Sequence, residues 1–219
     1  MSQTTALLRL MSWLSPVFPT GGFAYSAGLE QAVADGAVTD AVSLQHWIAA
    51  TLRHGAPWND AVLVTEARRA ATDAHHIATL AELGRALCMS AERRKETIDQ
   101  GAAFIDAAAH WFEPGALPPR ETPLPVAVGT AAGLAGIDGE AALAAFLNTY
   151  ATNQLQCAIR LSVTGQTGAA RILAALEEPI AGTARRATAA TLDDLGGSAF
   201  GADIASMTHE TLEPRLFLS

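Results

Sequence analysis

The chain has 219 residues, half of them apolar and only 16% charged, which argues against disorder and supplies enough hydrophobic surface for a sizeable core. At roughly 150 residues per domain, the length favours one large domain over two. Acidic residues number 22 against 14 lysines and arginines, a net charge of −8, so nucleic acid or an anionic membrane is a poor main partner.

Cys88 and Cys157 are too few and too far apart for a disulfide framework or a zinc knuckle and read as core thiols in a reducing cytosol. The N-terminus lacks a basic region followed by an apolar run and a cleavage site, so a soluble cytoplasmic protein is expected. The apolar, uncharged stretch between Glu121 and Asp138 carries two prolines and three glycines and is shorter than the ~18–20 residues a membrane span requires.

In chain order, Pro16-Val17-Phe18-Pro19-Thr20-Gly21-Gly22-Phe23-Ala24-Tyr25-Ser26-Ala27-Gly28-Leu29-Glu30 joins turn-forming residues to three aromatics, then opens into helix-compatible sequence. Ser26 reads as the N-cap of that helix. Over 39–54, Leu44, Trp47, Ile48, Thr51 and Leu52 share one helical face, with Thr39 as cap, Gly55 as stop and Pro57 preventing continuation. Helices follow over 61–71, 75–88 and 92–112. The cluster Arg93-Arg94-Lys95, flanked by Glu92 and Glu96, reads as a solvated helix face.

Four prolines over 117–125 predict a surface loop inside one bundle, since composition and period do not change across it. A long helix runs from an Asp138 cap to about Ser162. Shorter helices cover 168–176 and 179–190, Gly196-Gly197 marks a mobile loop, and a last helix spans 201–212. Strand signals are weak and Ala is abundant, so the expected fold is an all-α, single-domain bundle of about nine to ten helices.

Catalytic patterns fail on inspection. Ala24-Tyr25-Ser26-Ala27-Gly28 approximates a nucleophile elbow, but that motif needs a buried strand before the Ser, and Pro19-Thr20-Gly21-Gly22 cannot supply one. His209-Glu210-Thr211-Leu212-Glu213 starts like a zinc-protease motif and ends in Glu where the second His belongs. His75 and His76 point to different faces, and His46 and His54 lie two turns apart. No phosphate-binding glycine loop is present.

Arg160 sits near the end of the long helix. It either offsets the helix macrodipole, worth roughly 0.3–1 kcal/mol, or is presented to an acidic partner surface. In the tail Arg215-Leu216-Phe217-Leu218-Ser219, Pro214 stops the helix. The apolar side chains either pack back on the bundle or order against a partner, each worth about 1.5–3 kcal/mol before entropy is subtracted.

Together these segments resemble the UreF family of urease accessory proteins. Phe18 through Glu30 is similar to that family's N-terminal Pro-x-Gly-aromatic-x-x-Ser-x-Gly-Leu-Glu signature. Asp60 falls where the family carries an acidic residue, Ala158-Ile159-Arg160-Leu161 through Gln166 resembles its basic-Leu-x-Pro-x-Gly-Gln segment, and His209-Glu210 with Arg215-Leu216-Phe217-Leu218-Ser219 resembles its closing signature. Val163 and Thr164 depart from the usual residues of the middle segment, and Leu218 replaces a frequent Arg.

The resemblance implies a dimeric all-α adaptor that binds the accessory protein UreD (UreH) and recruits or modulates the GTPase UreG. The complex delivers nickel to apo-urease. It also implies partner-docking segments over 1–24 and 213–219, with contact residues Phe23, Tyr25, Ser26, Glu30, Asp60, Arg160, Gln166, His209, Glu210, Arg215, Leu216 and Phe217. Arg160 corresponds to the GTPase contact, and the two terminal segments to UreD. No catalytic residue or cofactor is expected in this chain alone, nickel and GTP belonging to the assembled complex. The alternative is a small serine hydrolase using Ser26. A third class, an all-α ligand-binding regulator, lacks the basic reading helix it would need.

Overall fold

Helix boundaries follow from caps that satisfy the otherwise orphaned backbone amides of each first turn. The computed structural model describes residues 1–219 and contains eleven α-helices and no strand, one more helix than the upper expectation. Ser2 caps α1 (Gln3–Trp13), accepting from the Thr5 amide. After the N-terminal loop comes α2 (Leu29–Ala34), whose N-cap is Gly28 rather than Ser26. Asp40, not Thr39, caps α3 (Ala41–His54): its carboxylate accepts from the Val42 and Ser43 amides while the Ser43 hydroxyl accepts from the Asp40 amide.

α4 (Ala56–Arg69) starts directly after Gly55, five residues before its expected start at 61. Pro57 lies in its first turn, where a missing N–H costs nothing, so the proline that stops one helix also begins the next. Asp73 and Ser90 cap α5 (Ala74–Ala86) and α6 (Ala91–Ala108). Asp138 caps α8 (Gly139–Arg160), and α9 (Gln166–Ala175), α10 (Glu177–Ala189) and α11 (Phe200–Thr208) follow.

Between α6 and α8 lies α7 (Leu124–Leu134), whose start overlaps the loop expected over 117–125 and to which none of the expected helices corresponds. Its residues from Pro125 to Ala132 are all buried, so it has no polar face and no amphipathic period to betray it. It packs directly against α4. A Cβ on Gly129 would lie 2.4 Å from the Val64 carbonyl oxygen, and one on Gly133 equally close to that of Arg68. Only bare Cα atoms permit that approach. The proline-rich loop reaches the surface over its first part, but Thr122 and Pro123 at its end are buried beneath Gly101 of α6.

The main core runs from α1 to the C-terminal Phe217, and a smaller cluster of Leu63, Ala67, Ile77, Leu80 and Val126 holds α5 against α4 and α7. α1, absent from the expected helices, is pinned by Leu10 and Trp13, the indole of Trp13 meeting Phe104 edge-on at 6.1 Å between centroids. Leu7, Leu8 and Met11 on its outer side are exposed. No helix is long and apolar enough to cross a membrane.

Candidate functional site

The two termini meet on α8. Gly21 takes a left-handed conformation (φ 72°), a short 3-10 turn covers Gly22–Ala24, and Ala27 (φ 52°) and Gly28 (φ 81°) turn the chain into α2. A Cβ on Gly28 would lie 2.8 Å from the Ser206 amide nitrogen, so glycine lets α11 close over the loop. From α8, Asn153 Nδ2 donates to the Tyr25 carbonyl at 3.0 Å and Gln154 Nε2 to that of Ser26 at 2.9 Å. The chain end then lies along the loop: the Leu218 amide donates to Ala24 O at 2.8 Å, and the Ser26 amide to Ser219 O at 2.7 Å.

Arg160, the last residue of α8, joins all three segments. Its Nη1 donates to the Phe23 carbonyl at 2.8 Å, and its guanidinium carbon stands 4.1 Å from the centroid of the Phe217 ring. The cation-π stack covers a ring that is only 2% exposed. Phe23, Leu216 and Leu218 project outward around it, at 70%, 62% and 54% exposure.

Beside this junction lies a buried charge network. The ring nitrogens of His209, which is wholly buried, stand 2.7 Å from Glu92 Oε2 and 3.0 Å from Glu30 Oε2. Glu30 also accepts from the backbone amides of Leu216 (2.7 Å) and Phe217 (3.0 Å), and Glu92 pairs with Arg215. Glu210 is exposed and accepts from the Ala91 amide at 2.7 Å, placing a carboxylate at the positive N-terminus of α6.

A second cluster lines the floor of a cavity of about 710 Å³ whose walls include Val17, Phe23, Phe200 and Met207. There Asp60 of α4 meets Arg93 at 2.5 Å, and Arg93 meets Glu96 at 3.2 Å. Burial pushes the Asp60 carboxyl up from its ordinary range, while Arg93 pulls it back. Tyr25 donates to Asp99 at 3.1 Å, and burial together with that carboxylate pushes its phenol up to about 12. Burial likewise pushes the Cys157 thiol up to about 12, leaving it an inert core thiol as expected.

The expected contact residues therefore divide. Phe23, Arg160, Gln166, Glu210, Arg215 and Leu216 reach the surface. Tyr25, Ser26, Glu30, His209 and Phe217 are buried inside the chain, and Asp60 is largely covered. In the isolated chain these six side chains therefore lie beneath the surface rather than on it. The tail is neither wholly free nor wholly hidden, since Phe217 and Ser219 point in while Leu216 and Leu218 point out.

Two further readings change. The cluster Arg93-Arg94-Lys95 is a solvated face only at Arg94 and Lys95, because Arg93 and the flanking Glu96 are mostly buried and Glu92 binds the tail. Sequence reasoning missed these residues although a signal existed: Glu96 and Gln100 fall in phase with Phe104 on the buried side of α6. Ser26 is fully buried, and its hydroxyl donates to Ser219 O while accepting from the Glu30 amide. His209 is bonded to two carboxylates instead of to Ser26, so no Ser–His pair is built and the hydrolase alternative has no support. No group of three or more His, Cys, Asp and Glu side chains is arranged to hold a metal ion.

The model of the UreF family matches residues 38–177. A urease accessory protein UreF of Rhizobium etli is 54% identical over 218 residues, covering 98% of this chain and 96% of that protein. Urease accessory protein UreF of Brucella ovis and UreF 1 of Brucella canis are each 52% identical over 220 residues, covering 99% of this chain and 95% of each of those proteins.

Proposed function

Because the chain belongs to the UreF family of urease accessory proteins, we propose that it is a cytoplasmic, dimeric adaptor in nickel-dependent maturation of urease. In this reading it binds UreD (UreH) through its joined terminal segments and brings UreG to the Arg160 region. UreG carries GTP, and nickel is cargo of the assembled complex on its way to apo-urease. This chain contributes shape and charge without catalytic groups or a resident metal of its own.

The observation that supports this reading most is the convergence at Arg160. Three segments separated by up to 193 residues, as in the Ser26–Ser219 pair, close around one side chain and leave Phe23, Leu216 and Leu218 exposed at the same place. A cluster of aromatic and aliphatic anchors beside an arginine has the composition of an interface centre. If the GTPase is stimulated, Arg160 is the candidate to supply charge or to order the GTPase's switch loops.

The test is co-purification of the full chain with UreD and UreG, followed by metal and nucleotide analysis. Deleting residues 215–219 is expected to abolish UreD binding and leave helical content intact. Undiminished UreD binding by the shortened chain contradicts the assignment of the tail.

A further inference from the structure

The C-terminal ends of α3 and α10 leave backbone carbonyls that other parts of the chain satisfy. Arg186 Nη2 donates to the Arg53 carbonyl at 2.7 Å, and Arg69 donates to those of Thr188 and Ala190 at 2.8 and 2.7 Å. The amides of Ser198 and Ala199 donate to the His54 carbonyl at 2.8 and 3.2 Å. Between these ends lies a groove of about 590 Å³ whose walls include Arg53, His54, Arg186, Gly197 and Ser198. It shares no residue with the Arg160 junction.

The cations of this groove lack the acids that neutralise cations elsewhere. In a chain of net charge −8, Arg69, Arg93, Lys95, Arg120, Arg185 and Arg215 each meet a carboxylate. Arg53 and Arg186 meet none, and the His54 ring is likewise unpaired. Asp194 is the single carboxylate on the walls, and it is turned to the Thr191 amide at 2.9 Å and hydroxyl at 3.3 Å.

Arg186 is also held in place without being used up. Its guanidinium carbon stacks 3.8 Å from the centroid of the Trp58 ring, and the Trp58 indole N–H is fixed by the Asp194 carbonyl at 2.9 Å. A guanidinium has five donors, and here only one has a partner in the chain. The Gly197 amide is unpaired too, and a Cβ at that residue would lie 3.0 Å from the His54 carbonyl oxygen, so glycine keeps the loop close on the end of α3. A rigid fork, a second arginine, an imidazole and a free amide form an oxyanion cradle built on two helix ends, with no phosphate-binding sequence motif. A tetrahedral dianion can engage both arginines at once, whereas a single carboxylate leaves the second charge unmatched. The volume falls within the roughly 300–1,000 Å³ of small-molecule sites.

We propose that the groove between α3 and α10 binds a phosphate group, carried either by the free ion or by a small phosphate ester. The site is independent of the adaptor reading and is tested on the chain alone.

The experiment is calorimetric titration of the full-length protein with inorganic phosphate and with glycerol 3-phosphate at constant ionic strength, phosphorus NMR line widths serving as a second readout. Saturable binding at one site per chain is expected. Arg53→Ala removes a side chain with no partner in the chain, so the unfolding midpoint should hold while affinity falls at least about fivefold. Arg186→Lys keeps the charge but loses the fork and the stack, and should weaken binding by about tenfold or more. Arg94→Ala removes one exposed charge from α6 and should bind as the parent does. Tighter binding of glycerol 3-phosphate than of phosphate identifies an ester as the ligand class, and equal or weaker binding identifies the free ion. Failure to saturate by about 10 mM with either probe overturns the proposal. So does an affinity unchanged in both groove variants, or a loss in Arg94→Ala as large as in Arg53→Ala. Hexaglutamate is the last arm, and tighter binding of that peptide than of both phosphates overturns the proposal in favour of an acidic protein segment.

Discussion

Substituting Arg160 by Ala separates a residue that serves only the proposed GTPase contact from one that also builds the surface beside it. The side chain supplies one hydrogen bond to the Phe23 carbonyl and one stack on Phe217. Because it is exposed, each term is taken at the low end: about 1 kcal/mol for the hydrogen bond and about 0.5–1 for the stack. Their loss should weaken docking of the tail on the loop by about 1.5–2 kcal/mol, or roughly 10–30-fold. If UreD reads the docked tail, its affinity should fall by a similar factor even though Arg160 need not touch it. Arg160→Lys keeps the charge but not the planar stack, and should recover only part of the loss. The assay is surface-immobilised UreD titrated with parent, Ala and Lys proteins, with UreG capture measured in parallel. UreD affinity unchanged within about twofold in Arg160→Ala, with UreG capture lost, would refute the coupling and leave a simple GTPase contact. UreG capture unchanged would remove Arg160 from the GTPase contact instead.

Leu216→Asp with Leu218→Asp alters only the outward side of the tail, so UreD binding should fall at least about tenfold, while the chemical denaturation midpoint stays near the parent's. Gly133→Val should destabilise the fold by about 2–4 kcal/mol in guanidinium unfolding, since its Cβ would meet the Arg68 carbonyl at 2.4 Å; a midpoint equal to the parent's would show that α4 and α7 separate freely. Asp60 has a folded-state carboxyl raised by burial, so the folded state holds its proton more tightly than the unfolded chain. Stability from this group is present at low pH and is lost as pH rises from the ordinary carboxylate range through the raised value. Asp60→Asn should remove that loss, which unfolding curves at several pH values will read. Purified protein should not be labelled by a fluorophosphonate probe, and labelling that disappears in Ser26→Ala would revive the hydrolase reading.

The helices whose buried and exposed faces alternate were legible, and the rest were not for identifiable reasons. α3 and α8 carry an apolar stripe against a polar face, so their extents were read to within about two residues, the ordinary uncertainty of helix ends. α7 is apolar or small all round and begins among prolines, so its sequence looks like a loop although it lies against the centre of α4. α2 lies where a helix was expected after the N-terminal signature, with Gly28 in place of Ser26 as its cap, whereas α1, before that turn-rich segment, was not expected. For α7 the missing information was tertiary: a helix buried on every side shows no period, because no side of it is required to be polar.

The site was legible as a set of segments but not as directions of side chains. The apolar termini pointed to association, and half of that apolar surface does face outward. What the sequence could not disclose is that charged and hydroxylic residues of the N-terminal signature and of α6 are consumed internally. Glu30 binds the tail amides, Glu92 binds Arg215, and Ser26 binds the last residue. A carboxylate on an amphipathic helix reads as solvated until something distant arrives to pair with it, and here the partner of Glu92 lies 123 positions away. Losing one buried partner is costlier than never having the pair. Substitutions in Glu30, Glu92 or His209 should therefore impair partner binding without contacting any partner, and low complex yield in such variants is interpretable only beside amide hydrogen exchange of the tail. A variant that loses UreD while its tail amides remain protected marks a direct contact, and one that loses both marks a strut.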